Sequence, residues 1–150
     1  MGLPPDDYHA KNIVHEFTHA IQRSIPGERP PQWVTEGMAE YEGMFNATEY
    51  NRTDGFDSLV RYVHDEIPDQ LRCCGGNPPT FSTTDIYFGG ALIMKYLADT
   101  FGEDFHVRLV RHQHPSFEAA LAAEIEASGS TIQETFDGLL AWLKQQRAAL

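Results

Sequence analysis

The feature that most constrains this chain is a pair of histidines four residues apart inside a stretch with helical periodicity. His15-Glu16-Phe17-Thr18-His19 lies within the segment Ala10 to Gln22. Apolar residues recur at Ala10, Val14, Phe17 and Ile21, the spacing of one helical face, and that face is expected to be buried. Positions four apart on a helix are rotated by roughly 40° and separated by about 6 Å along the axis. Two imidazoles at that spacing can converge on one cation. Glu16 is about 100° round from His15 and about 60° from His19, which sets its carboxylate beside such a cation and not on it. Two neutral nitrogen ligands with an acid–base group next to an open position is what hydrolytic zinc chemistry needs.

A turn-rich connector, Ile25-Pro26-Gly27-Glu28-Arg29-Pro30-Pro31, separates this helix from the next. Pro31 suits a helix start, because its missing N–H would have had no partner there. The second helix carries a core stripe of Val34, Met38, Tyr41 and Phe45. Glu36 and Glu40 share a different face of it. Like charges at that spacing repel unless a cation lies near them, and a divalent metal would serve. Gly37 costs about 1 kcal/mol against Ala in a helix, so a compensating close approach is expected, with the His15/His19 helix as the expected neighbour.

The remaining chain reads as more helices. Gly55 to Ile67 is amphipathic and Pro68 ends it. Leu71 to Phe81 is expected as an irregular loop. Ser82-Thr83-Thr84-Asp85 matches a capping box opening a helix with Ile86, Gly90, Ile93, Met94, Leu97 and Phe101 inward. Tandem Gly89-Gly90 points to tight backbone packing. Two short helices follow, Glu103 to His112 and Ser116 to Ala127. Thr131-Ile132-Gln133-Glu134 is a second capping box, ahead of a last helix that packs Ile132, Phe136, Leu139, Leu140 and Leu143. His64, His106, His112 and His114 are expected at the surface. No stretch alternates long enough to predict a strand. The expected fold is mainly α, about seven helices in one domain over residues 1–150.

With a formal net charge of −11 the chain is a poor partner for nucleic acid or an anionic membrane surface. No apolar run approaches the roughly 18 residues that cross a bilayer, and no signal peptide opens the sequence. The two cysteines, Cys73 and Cys74, are adjacent, a spacing that disfavours a mutual disulfide, and are expected as free thiols.

His15-Glu16-Phe17-Thr18-His19, sixteen residues, then Glu36-Gly37-Met38-Ala39-Glu40-Tyr41 resembles the gluzincin zinc peptidases. Trp33-Val34-Thr35-Glu36-Gly37-Met38-Ala39 is similar to the Trp-Leu-x-Glu-Gly-x-Ala segment of the peptidase MA-like group. The resemblance implies zincin-like catalytic helices followed by a C-terminal helical subdomain. It implies Zn2+ held by His15, His19 and Glu36, with Glu16 as general base and peptide or protein as substrate. The Tyr of a downstream Tyr-x-x-Gly-Ala segment transfers onto Tyr87, as a donor to the tetrahedral intermediate. Glu40, one turn beyond Glu36, is expected to accept from the other N–H of a ligand histidine. That family places a β-sheet ahead of the active-site helix, whereas this chain has only about ten residues there. Either the chain is the C-terminal part of a longer protein or the sheet is absent. No Gly-Ala-Met-Glu-Asn-type segment is present, which tells against aminopeptidase action. Two other readings stand beside the peptidase: a folded zinc-binding helical module without turnover, and an acidic helical interaction domain without metal.

Overall fold

The structure is a computed structural model and describes residues 5–27, 29–47, 70–111 and 114–150. Six helices and one hairpin lie within them: α1 (Pro5–Ser24), α2 (Gln32–Asn46), β1 (Leu71–Gly75), β2 (Thr80–Thr83), α3 (Phe88–Phe101), α4 (Phe105–Arg111), α5 (Phe117–Ala127) and α6 (Ile132–Ala148). The mainly helical class is as expected. The helix expected over Gly55 to Ile67, with His64, lies outside the described residues, as does His112.

The apolar stripes place the elements. On α2, Val34, Met38, Tyr41 and Phe45 are all buried, and the helix lies between α1 and α3. Its contact with α3 is backbone on backbone. A methyl added at Gly37 would stand 2.6 Å from Gly90 Cα, and one at Gly90 would stand 2.6 Å from the Trp33 carbonyl oxygen. The neighbour of Gly37 is therefore α3 and not the histidine helix. Gly43 is the α2 glycine that meets α1, where its added methyl would stand 2.8 Å from the Lys11 carbonyl oxygen. On α3, Ala91, Leu92, Ile93, Met94 and Leu97 fill the centre, with Phe105, Leu121, Ile125 and Leu139 from α4, α5 and α6 completing the core. The Thr131–Glu134 capping box of α6 forms in both directions, and Ser116 caps α5 by accepting from the Ala119 N–H at 3.2 Å.

Five further expectations need correction. Leu71 to Phe81 is not an irregular loop: β1 and β2 pair antiparallel, Leu71 opposite Thr83 and Arg72 opposite Ser82. The strands are only five and four residues long and slip register after Arg72, too short to show alternation in the sequence. Phe81 anchors the hairpin, with its ring 6.2 Å from that of Trp33 and 6.3 Å from that of Phe136. The hairpin takes Ser82 and Thr83 into its ladder, so α3 opens later than the expected box. Asp85 Oδ1 instead accepts from the Tyr87 and Phe88 N–H groups at 3.2 and 3.0 Å. Cys73 and Cys74 are not free thiols; their sulfurs are bonded at 2.07 Å. His106 is buried, its Nε2 donating to the Met94 carbonyl at 3.1 Å, because α4 folds back under α3. Finally, Phe17 and Ile21 are 65% and 48% exposed and lie beside Ile13 on the outside of α1. The face turned to α2 is Lys11, Val14, His15, Thr18, His19 and Gln22, which repeats at helical spacing as well but is largely polar.

Candidate metal centre

Helix α1 presents His15 and His19 one turn apart to α2, and α2 presents Glu36 and Glu40 one turn apart to α1. His15 Nε2 lies 3.1 Å from His19 Nε2. Glu36 Oε2 lies 3.5 Å from the first and 3.2 Å from the second. The two imidazoles are edge to face, ring centroids 4.8 Å apart. His19 is buried, and Glu36 and His15 are partly buried.

What the opposite ring nitrogens do fixes the chemistry of this triangle. His15 Nδ1 donates to Glu40 Oε2 at 3.1 Å. A carboxylate only accepts, so this ring carries a hydrogen on Nδ1, and in its neutral form Nε2 is a lone pair. Glu40 is itself buried, and its other oxygen pairs with the Lys11 ammonium, which balances its charge. His19 Nδ1 lies 2.9 Å from Gln22 Oε1, while Gln22 Nε2 donates to the Thr35 carbonyl at 3.0 Å. The carbonyl can only accept, so the amide nitrogen faces it and the amide oxygen faces the ring. His19 therefore has Nδ1–H as well, and in the neutral ring its Nε2 lone pair points into the triangle.

Three electron-rich atoms thus meet within 3.5 Å of one another. A proton on either Nε2 would give Glu36 a donor; with both rings neutral, one divalent cation between them satisfies all three atoms. Tetrahedral zinc with N and O ligands at 2.0–2.2 Å has ligand-to-ligand edges of about 3.4 Å. The edges here, 3.1, 3.2 and 3.5 Å, fit that size. Two nitrogens and one carboxylate oxygen leave a fourth position open, the donor count of catalytic and not structural zinc. Among the described residues this is the group of at least three His, Cys, Asp or Glu side chains that can hold a metal.

Each residue expected at the site has a definite place. His15, His19 and Glu36 come together, and Glu40 stands behind His15. Glu16 is exposed on α1 next to His15. Tyr87 stands just ahead of α3, 45% exposed, its ring 6.5 Å from that of His15 and inclined by 29° to it. Sequence reasoning missed Lys11 and Gln22. Lys11 is one turn before His15 and Gln22 nearly one turn after His19, so both were visible as polar positions on the ligand face. Their partners come from α2, which periodicity within α1 does not reveal. No family model, curated protein or solved structure matches the chain.

Proposed function

We propose that the chain is a zinc-dependent peptidase of the gluzincin type, with peptide or protein as substrate. The observation that carries the reading is the convergence of two imidazole nitrogens and a carboxylate oxygen at zinc-sized spacing. His15, His19 and Glu36 hold the ion. Bound there, zinc supplies Lewis acidity, enough to bring the pKa of a water to about 7. Glu16, at the rim of α1 beside His15, takes a proton from the attacking water and returns it to the leaving nitrogen. The Tyr87 hydroxyl donates to the oxygen that gains charge on the substrate carbonyl, a role worth about 10²–10³ in rate for a single donor. Glu40 and Lys11 keep the His15 ring turned with Nε2 inward.

A second reading rests on the outer face of α1. Ile13, Phe17 and Ile21 are exposed there, and the hairpin lies against α3, α5 and α6. Among the described residues, therefore, no strand lies beside the site to align an extended peptide. In that reading the metal joins α1 to α2 and the chain has no turnover of its own.

One experiment separates them. Zinc content is measured for the chain and for Glu16→Gln, and both are given a mixture of peptides. The peptidase reading expects one zinc in each and a rate at least about 10²-fold lower in Glu16→Gln. Zinc without cleavage by the unaltered chain supports the module. A Glu16→Gln variant as fast as the parent removes Glu16 as the base, and a chain that takes up no zinc ends both readings.

A further inference from the structure

We propose that Gln22 is a positioning residue of the metal centre: its single side-chain amide locks one ligand from each helix. This rests on His15, His19 and Glu36 being a metal site and names a group that the donor set itself does not include. The amide oxygen accepts from His19 Nδ1 at 2.9 Å and the amide nitrogen donates to the Thr35 carbonyl at 3.0 Å. Thr35 is the residue before Glu36. One planar group therefore sets the angle of the His19 ring and ties it to the peptide that carries the third ligand.

The two histidines are oriented by different means. His15 is held by an ionised pair, Glu40 with Lys11. His19 is held by a neutral amide whose orientation is dictated by a backbone carbonyl. The amide has no freedom to turn over. Reversed, it would set its oxygen against the Thr35 oxygen and its NH2 against the ring nitrogen that must give up its own hydrogen. Gln22 thereby selects the His19 tautomer that leaves Nε2 free, and it does so before any metal arrives.

On its other side Gln22 lines a cavity of about 210 Å3 whose walls include Ile25, Val34, Met38, Leu109 and Phe117. The apolar part of that lining accepts a leucine of similar shape, while Arg29, His114 and Ser116 supply its polar part. Gln22→Leu therefore removes both hydrogen bonds while keeping the packing. Gln22→Glu keeps an acceptor for the ring and loses the bond to Thr35.

The test uses the full chain and two readouts. Zinc affinity is measured by competition with a chromophoric chelator. The tautomer of His19 is read from imidazole nitrogen shifts of the metal-free protein in mildly alkaline buffer. Gln22→Leu is expected to weaken zinc by about 10–100-fold, to lose the Nδ1–H preference of His19, and to keep its urea midpoint near that of the parent. Gln22→Glu is expected to retain the Nδ1–H form and to bind zinc within several-fold of the parent. A Gln22→Leu protein with the parental tautomer and zinc affinity overturns the proposal, as does affinity that only tracks stability across both variants. Should the unaltered chain bind no zinc, the metal reading fails, while the metal-free spectra still decide whether Gln22 sets the ring.

Discussion

Gly37 shows how a single missing side chain sets the geometry next to a ligand. Alanine is a better helix former than glycine by about 1 kcal/mol, so propensity alone favours Gly37→Ala. The added methyl would stand 2.5 Å from the Gly90 carbonyl carbon and 2.9 Å from its oxygen, and backbone in a helix has nowhere to swing. Overpacking of that kind costs typically 1–3 kcal/mol, and more when it separates backbones. The expected result is a net loss of about 2 kcal/mol in urea unfolding and, on the zinc reading, weaker zinc binding because Glu36 moves with its neighbour. An unchanged or raised midpoint would mean that α2 and α3 do not touch there. The sequence shows that such a glycine needs a close neighbour, but not which helix supplies it. His15, His19, Glu36 and Glu40 were legible for the opposite reason. Their spacing lies within one helix each, and the requirement for facing donors couples the two. Gln22 looked like any polar helical residue because its second partner is a carbonyl on another helix.

Helix α1 differs from the others in what holds it. Its outer side exposes Tyr8, Ile13, Phe17 and Ile21, and Val14 on the inner side is only partly buried. Its links to α2 are chiefly polar: Lys11 and His15 to Glu40, and Gln22 to Thr35. The buried apolar side chains of α2 and α3, by contrast, belong to one continuous core. A stripe of apolar residues in sequence predicts a buried face only when nothing else competes for it, and on α1 the ligand face took the inside. This has a consequence for metal removal. A ligand that binds only the folded site stabilises it by RT ln(1 + [L]/Kd), about 4 kcal/mol at a thousand times Kd. On the zinc reading, that energy acts where apolar burial is least. Chelation is expected to raise amide exchange selectively across residues 10–24 while residues 91–98 of α3 keep their protection. Exchange that rises evenly over the whole fold, or does not change in α1, would show that α1 is held by its apolar contacts after all.

At the scale of the whole molecule, the charged groups of α1 and α2 sit at one side of the core and His106 sits inside it. Its Nε2 donates to the Met94 carbonyl of α3, and its ring meets that of Tyr41 of α2 edge to face at 5.0 Å, so one residue of α4 touches both central helices. Burial disfavours the charged imidazolium and brings its pKa from 6.5 down to about 4, against the smaller upward pull of the Met94 carbonyl. The folded chain therefore binds its proton later than the unfolded chain does. Above the unfolded value neither state is protonated at His106 and its contribution is complete. As pH falls below about 6.5 the unfolded state gains a proton that the folded state refuses, and stability drops until the folded value near 4 is reached. Across that window the loss is on the order of 3 kcal/mol, from about 1.4 kcal/mol per pKa unit. Replacing His106 with Gln keeps a donor for Met94 and removes the titration. Unfolding free energies measured from neutral to acid pH, with chelator present throughout so that metal loss adds nothing, are expected to fall less steeply in His106→Gln than in the parent. Parallel curves would place the acid sensitivity of the fold at other groups and remove His106 as its source.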